Sequence, residues 1–236
     1  MNQFAMAFTP DKLEEAWHVF LTEFPLGLWE TVYVTVLSTL FAIVIGLPLG
    51  ILLVAGDEKG IHPMPKPLMK VINVIINFLR SVPFLILIVM VIPLTRAIIG
   101  TSIGSVASIV PLVVAAFPFV ARLVESSLRE LDPNIIEMAQ SMGSSTWQII
   151  TRVMLPESVP SLVTNFTLAI TTILGYTAMS GAMGGGGLGK IAINYGYSRY
   201  KYAVLYLAVI VLVLLVQIFQ TIGTRLAARL DKRIKK

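Results

Sequence analysis

Cysteine is absent from the 236 residues, which excludes a disulfide framework and cysteine-ligated zinc but says nothing about compartment. Charge is scarce: Asp, Glu, Lys and Arg make up 13% of the chain, against about 25% in an ordinary soluble domain. Histidine occurs only at His18 and His62, and neither an H-E-x-x-H pattern nor a nucleophile elbow is present. The chain therefore offers no catalytic residue and no metal site. No stretch of about 50 residues lies outside apolar runs and their connections, so no separate soluble domain is expected. The first residues carry one lysine, Lys12, and no basic lead into a short apolar core. A cleaved signal peptide is not expected, and the first span serves as the insertion signal.

What the chain has in quantity is apolar length. It is 56% hydrophobic with a mean hydropathy of +0.83, the composition of a polytopic all-α membrane protein. Five runs reach the length needed to cross hydrocarbon, near Leu26–Ala55, Leu68–Leu94, Ile98–Val124, Leu162–Ser180 and Ala203–Thr224. Pro48, Pro83, Pro111 and Pro118 lie inside them, where neighbouring helices can satisfy the freed carbonyls. Before them, residues 1–25 place Leu13, Ala16, Trp17, Phe20, Leu21 and Phe24 at helical spacing. This reads as an extracytoplasmic amphipathic helix at the interface, or else a tail.

Lysine and arginine set the orientation. Lys12, Arg96, Lys190, Arg199 and Lys201 fall on one side of the spans, against twelve on the other, with Arg80 left inside span two. The positive-inside rule then predicts an outer N-terminus and a cytoplasmic C-terminus with a basic tail over residues 225–236. The pI near 9.5 reflects that cytoplasmic face and not nucleic-acid binding.

One cytoplasmic stretch is neither a span nor a plain tether: Asp132–Pro156, DPNIIEMAQSMGSSTWQIITRVMLP. Asp132 can cap a helix with Pro133 at its first position. Gly143 suits the left-handed residue that ends it. Ser145 and Gln148 form a capping-box signature for a second helix, expected to stop before Pro156. A helix–turn–helix between spans three and four predicts a docking element.

Three other features carry possible chemistry. Gly184–Lys190 matches the first seven positions of a phosphate-cradling P-loop. The next residue is Ile191 where Ser or Thr must hold magnesium, and a membrane helix stands where a strand is needed. A structural role for these glycines is the better reading. Arg80 is an intramembrane cation, either functional or bonded to carbonyls freed by Pro83. Asn165, Thr172, Tyr176 and Met179 share one face of span four, either lining a polar pathway or gluing helices.

At Glu137-Met138-Ala139, Gly143, Val153, Leu155 and Pro156 the chain resembles the cytoplasmic loop of binding-protein-dependent ABC importer permeases. That pattern is Glu-Ala-Ala, three residues, Gly, nine residues, Ile, one residue, Leu-Pro. Met138 and Val153 depart from it but stay apolar. Gly46-Leu-Pro-Leu-Gly50, Arg80-Ser-Val-Pro83, Gly181–Gly189 and Tyr195-Gly-Tyr197 look like the methionine-importer branch, and five spans agree with it. The resemblance covers 26–224 as the transmembrane domain and not residues 1–25. It implies a bacterial inner-membrane permease that works as a homodimer. It also implies two cytoplasmic ATPase subunits holding ATP and magnesium, and an extracytoplasmic methionine-binding protein. The coupling residues it implies are Glu137, Met138, Ala139, Met142, Gly143, Val153, Leu155 and Pro156. A permease for another solute, a secondary transporter and a scaffold subunit are the alternatives. An intramembrane carboxylate or an inverted repeat would favour the secondary transporter, and the spans present neither.

Overall fold

A computed structural model describes residues 9–231, and every regular element among them is a helix. Lys232, Arg233, Lys235 and Lys236, counted above in the basic tail, lie outside the described residues, as do the first eight of the N-terminal segment. Helix α1 is Pro10–Ala55, α2 Lys66–Ser81, α3 Phe84–Ile99, α4 Ile109–Arg129 and α5 Pro133–Ser141. Helix α6 runs unbroken over Thr146–Met183, with a π-helical turn at Ile149–Met154 and a final 3₁₀ turn. The short α7, Gly187–Ile191, passes through a π-helical turn, Ala192–Tyr197, and the last helix, α8, is Tyr202–Leu230.

Helices α1, α4, α6 and α8 are each long and apolar enough to cross a bilayer, and the bent pair α2/α3 makes a fifth span when counted as one. The number expected is met, but the boundaries differ. Span two is no single rod: Val82 is extended (φ −76°, ψ 125°), and Pro83 starts a new helix. Span three begins eleven residues later than expected, at Ile109. Gly100 (φ +83°) ends α3 by bonding back to Arg96, and the Thr101 and Ser108 hydroxyls then bond to the local backbone of Ile103 and Ser105 in place of helix. Residues 10–25, read above as an interfacial helix or a tail, are the first turns of α1, with Pro25 inside it. Residues 225–230 likewise belong to α8.

The chain divides into two compact units. The first comprises residues up to Thr39, Pro83–Val113 and Ile170–Phe219. Its core joins Ala16, Val19 and Phe24 of α1 to Leu174, Leu188, Val204 and Ala208. The buried hydroxyls of Thr35 and Thr177 bond each other at 3.2 Å and tie α1 to α6. Here the glycine run makes a tight turn after α6, with Gly184 (φ +91°) and Gly187 (φ +79°) in conformations side chains disfavour. A Cβ on Gly189 would collide with the Ala178 backbone. The amides that open α7 are already taken. Gly187 N–H donates to Glu30 Oε2 at 2.6 Å, Leu188 N–H to Thr31 Oγ1 at 2.9 Å, and Ser105 Oγ–H holds the other Glu30 oxygen at 3.1 Å.

The second unit comprises Leu40–Val82, Val114–Ala169 and residues from Gln220 on. Leu53, Ile76 and Ala121 centre its core. Gly46 and Gly50, one turn apart on α1, let that helix press against Val120 and Val124 of α4, where any side chain would clash.

Two glycines separate close approach from mere composition. Gly189→Val is expected to destroy the fold of the turn, seen as loss of monodisperse protein in detergent. Gly175, in helix with open space around it, should accept alanine and gain about 0.5–1 kcal/mol in thermal unfolding.

Candidate coupling site

The Asp132–Pro156 segment is built from its caps. Asp132 is extended (ψ 120°), and its Oδ1 accepts from Asn134 N–H at 3.0 Å while Pro133 opens α5. At the other end Gly143 turns left-handed (φ +74°), Ser144 N–H reaches the Ala139 carbonyl at 3.1 Å and Gly143 N–H the Gln140 carbonyl at 2.9 Å. These two bonds form a Schellman stop. Nothing lies near where a Gly143 Cβ would sit, so the backbone angle alone selects glycine. Ser145 and Gln148 close their capping box at 2.9 and 3.4 Å.

The expected second helix does not stop before Pro156. It continues as α6, because the π-helical turn at Ile149–Met154 already withdraws the regular bond ladder there. Pro156 then falls in the first turn of the following α segment, where its missing N–H and ring are tolerated. The segment is thus one free helix, α5, packed against the first turns of a span.

Exposure sorts the residues of this segment. Ala139, Ile149 and Met154 are buried, and Ile135, Ile136, Val153 and Leu155 are half-buried. Met138 (60% exposed), Met142 (79%) and Trp147 (72%) stand out into solvent as large apolar groups, with Glu137 exposed beside them. Sequence reasoning missed Trp147; a large aromatic two residues after the Ser145 cap, behind a run of small residues, was the available signal.

The four residues of span four do not act as one group. Asn165, in the second unit, donates to Ser127 Oγ at 2.7 Å and the Leu123 carbonyl at 3.3 Å on α4. It lines a cavity of about 530 Å³ with Glu130, Ser161 and Thr164. Thr172, Tyr176 and Met179 belong to the first unit. There the Tyr176 ring stacks on Phe84 at 4.4 Å, Thr172 is half-buried and Met179 exposed.

Arg80 lies exposed at the end of α2, just before the Val82–Pro83 break, not deep in a straight span. The half-buried charges are elsewhere. Glu125 of α4 accepts from Arg122 at 2.6 Å and from Arg129 at 3.0 Å, and Arg129 also binds Asp57, in the loop after α1, at 2.8 Å. No group of metal-ligating side chains occurs among the described residues.

The Arg129 guanidinium, with help from the Glu58 N–H, holds the Asp57 carboxyl below its ordinary value, against a smaller opposing push from burial. A carboxylate whose folded pKa is depressed contributes fully above the unfolded value and loses that contribution as pH falls through the folded one. Both side chains are over 40% exposed, so the pair is worth at most about 1 kcal/mol. Asp57→Asn should be slightly less stable than wild type near neutral pH. In thermal unfolding the gap should close as pH drops below about 4.

Residues 46–236 match the family described as binding-protein-dependent transport system inner membrane component. The probable D-methionine transport system permease protein MetI of Pasteurella multocida is 48% identical over 208 residues, 88% of this chain and 95% of the relative. The D-methionine transport system permease protein MetI of Escherichia coli K12 is 46% identical over 155 residues, 66% of this chain and 71% of that one. A native crystal form of the MetNI methionine ABC transporter, described as inward facing, is 44% identical with a TM-score of 0.85, over 87% of this chain and 95% of that one. An amino acid ABC transporter crystallised with histidines, at 19% identity and TM-score 0.69, shares the fold alone. A capped helix carrying the loop pattern, set among broken and unbroken spans, is thus matched across most of its length, and the chain belongs to the inner membrane components of binding-protein-dependent transport systems.

Proposed function

We propose that this chain is the permease subunit of an ATP-driven methionine importer, accepting L- and D-methionine. It works as a homodimer with two cytoplasmic ATPase subunits and an extracytoplasmic methionine-binding protein. The observation that carries the reading is α5: a capped helix whose spacing to Gly143 and Pro156 matches the importer loop and whose largest apolar side chains point outward. The names of the relatives at 43–48% identity support the substrate. The charge count supports an outer N-terminus and places α5 in the cytoplasm, where ATP is.

In this reading Met138, Met142 and Trp147 enter a cleft on the ATPase, and Glu137 borders them. Ala139, Val153 and Leu155 form the inner side that seats α5 on α6, and Gly143 and Pro156 shape the turn. Shifting a pore from 1:99 to 99:1 needs about 5.5 kcal/mol of differential binding. Burying one methionine contributes about 1.5–3 kcal/mol, so two or three such side chains supply energy of that order. ATP and magnesium belong to the partner. On this chain Ile191 stands where a P-loop needs a hydroxyl, and Glu30 and Thr31 occupy the amides a phosphate would use. Thr172, Tyr176 and Met179 remain the pathway residues of this proposal, and Asn165 serves as a tie to α4. Arg80 sits at the mouth of the span break.

Met142→Asp puts a charge into the proposed cleft, and Gly143→Leu strains the stop. Each should leave the chain folded but remove copurifying ATPase and cut ATP-driven uptake at least ten-fold. Retention of both by both variants would refute the docking reading. Substrate is tested in vesicles holding the complete complex. Labelled L-methionine uptake should be competed by D-methionine and not by acidic or basic amino acids. Equal competition by all would overturn the substrate assignment.

A further inference from the structure

The polar ladder on α4 does something that packing alone does not. Arg122, Glu125 and Arg129 recur at three and four residues and so share one face of the helix. Arg122 Nη2–H groups donate to Asn73 Oδ1 at 2.7 Å and Asn77 Oδ1 at 2.9 Å on α2. The Asn73 amide is held in that pose because its nitrogen donates to the Met69 carbonyl at 2.9 Å. Arg129 reaches the opposite way, to Asp57 in the loop that joins α1 to α2. Glu125 sits between the two arginines and is only 14% exposed. Removing a partner from such a half-buried charge costs more than breaking a surface pair. The face therefore holds its partners when α4 moves.

The space behind α5 explains why that matters. A cavity of about 450 Å³ is lined by Ile136, Glu137 and Gln140 of α5, by Lys59, Gly60 and Ile61 of the α1–α2 loop, and by Asp57 and Arg129 themselves. Groups across a void exert no contact force on each other. A displacement of α5 has a stiffer route. The three-residue turn Glu130–Asp132 joins it covalently to α4, and Arg129, at the last position of α4, holds Asp57.

We propose that Arg129 is a positioning residue of the transport cycle: braced by Glu125, it makes the α1–α2 loop travel with α4 and α5 through Asp57 when the ATPase subunits close, beside the hold that Arg122 has on α2. This rests on the coupling reading above. Arg129 touches no nucleotide or substrate. Its work is to keep the ATPase's movement from being spent on α5 alone. The Asp57 carboxylate, held in its charged form by the same guanidinium, remains available as partner across the neutral range.

The test uses the whole complex with its binding protein in vesicles, reading ATP hydrolysis and methionine uptake together. Arg129→Gln and Asp57→Asn should each still copurify with ATPase and hydrolyse ATP. Each should lose about three- to five-fold in uptake per ATP, the range a pair of this exposure can supply, and the double variant should lose no more than the worse single. An unchanged ratio in both singles, or losses that multiply in the double, would overturn the proposal. The chain has no cysteine of its own, so a second variant guards against misfolding. Asp57→Cys with Arg129→Cys, bridged in the assembled complex by a short bis-maleimide, should regain uptake per ATP over the unbridged form. A bridge that restores nothing, or lowers the ratio further, would also overturn it. Failure of the underlying coupling reading looks different: Met142→Asp would then leave copurification and uptake intact.

Discussion

A backbone N–H or C=O inside hydrocarbon has no water to turn to, and leaving one unpaired costs several kcal/mol. This constraint governs where the chain stops being a helix. The glycine turn after α6 is the clearest case. Its two leading amides point at Glu30 and Thr31 of α1, so a carboxylate and a hydroxyl do for this irregular backbone what the next helical turn would have done. The same need explains the hydroxyls of α1, α3 and α6. Thr31, Thr39, Thr95, Thr167 and Thr177 all donate back to the carbonyl four residues earlier, and Thr31 and Thr177 also meet a group far away in the chain, the Leu188 N–H and the Thr35 hydroxyl. Prolines follow the same logic: Pro25, Pro48, Pro93, Pro118 and Pro160 lie within helices, whereas Pro65 and Pro83 stand just before α2 and α3, where a helix starts afresh.

The loop that carries α5 answers to water instead, and its stops are correspondingly local. A cap, a Schellman glycine and a capping box, each made within a few residues, hold α5 in one pose. The largest apolar groups are left outside and the small Ala139 is set against the π-helical turn. Because that turn leads without interruption into α6, and because α4 leads into α5 through three residues, the segment is fastened at both ends to spans. A helix so held can carry load; a tether could not. The ladder from Asn77 to Asp57 extends the fastening sideways by charge, beyond the packing of Leu53 and Ile76 on Ala121.

Much of this was legible from residues alone. Caps are local events, and Asp132, Gly143 and Ser145 each occupy the position their side-chain or backbone chemistry predicts. The apolar runs were counted correctly, and the loop pattern at Glu137–Pro156 pointed to the family later matched over residues 46–236. Other features took their place only in three dimensions. Arg80 drew attention because it interrupts an apolar run, but a run says nothing of where the helix breaks, and Arg80 proved to be at a helix end. Arg122 and Arg129 entered only the charge count, since their partners Asn73 and Asp57 lie 49 and 72 residues away. Pro156 was expected to end a helix, but a π-helical turn before it removed the conflict.

Whatever depends on neighbours along the chain could be read from residues: the all-helical membrane class, five apolar runs, the capped α5, and a nucleotide motif left incomplete at Ile191. These rest on hydrophobic length and on bonds within a turn or two, and both can be read in order. The folded arrangement was needed to say which of two faces of α5 is free, which prolines stand where a helix breaks, and which charges are neutralised. Each of those depends on groups brought together from distant parts of the chain. Burial and pairing energies are set by the neighbour in space, and no local rule names that neighbour.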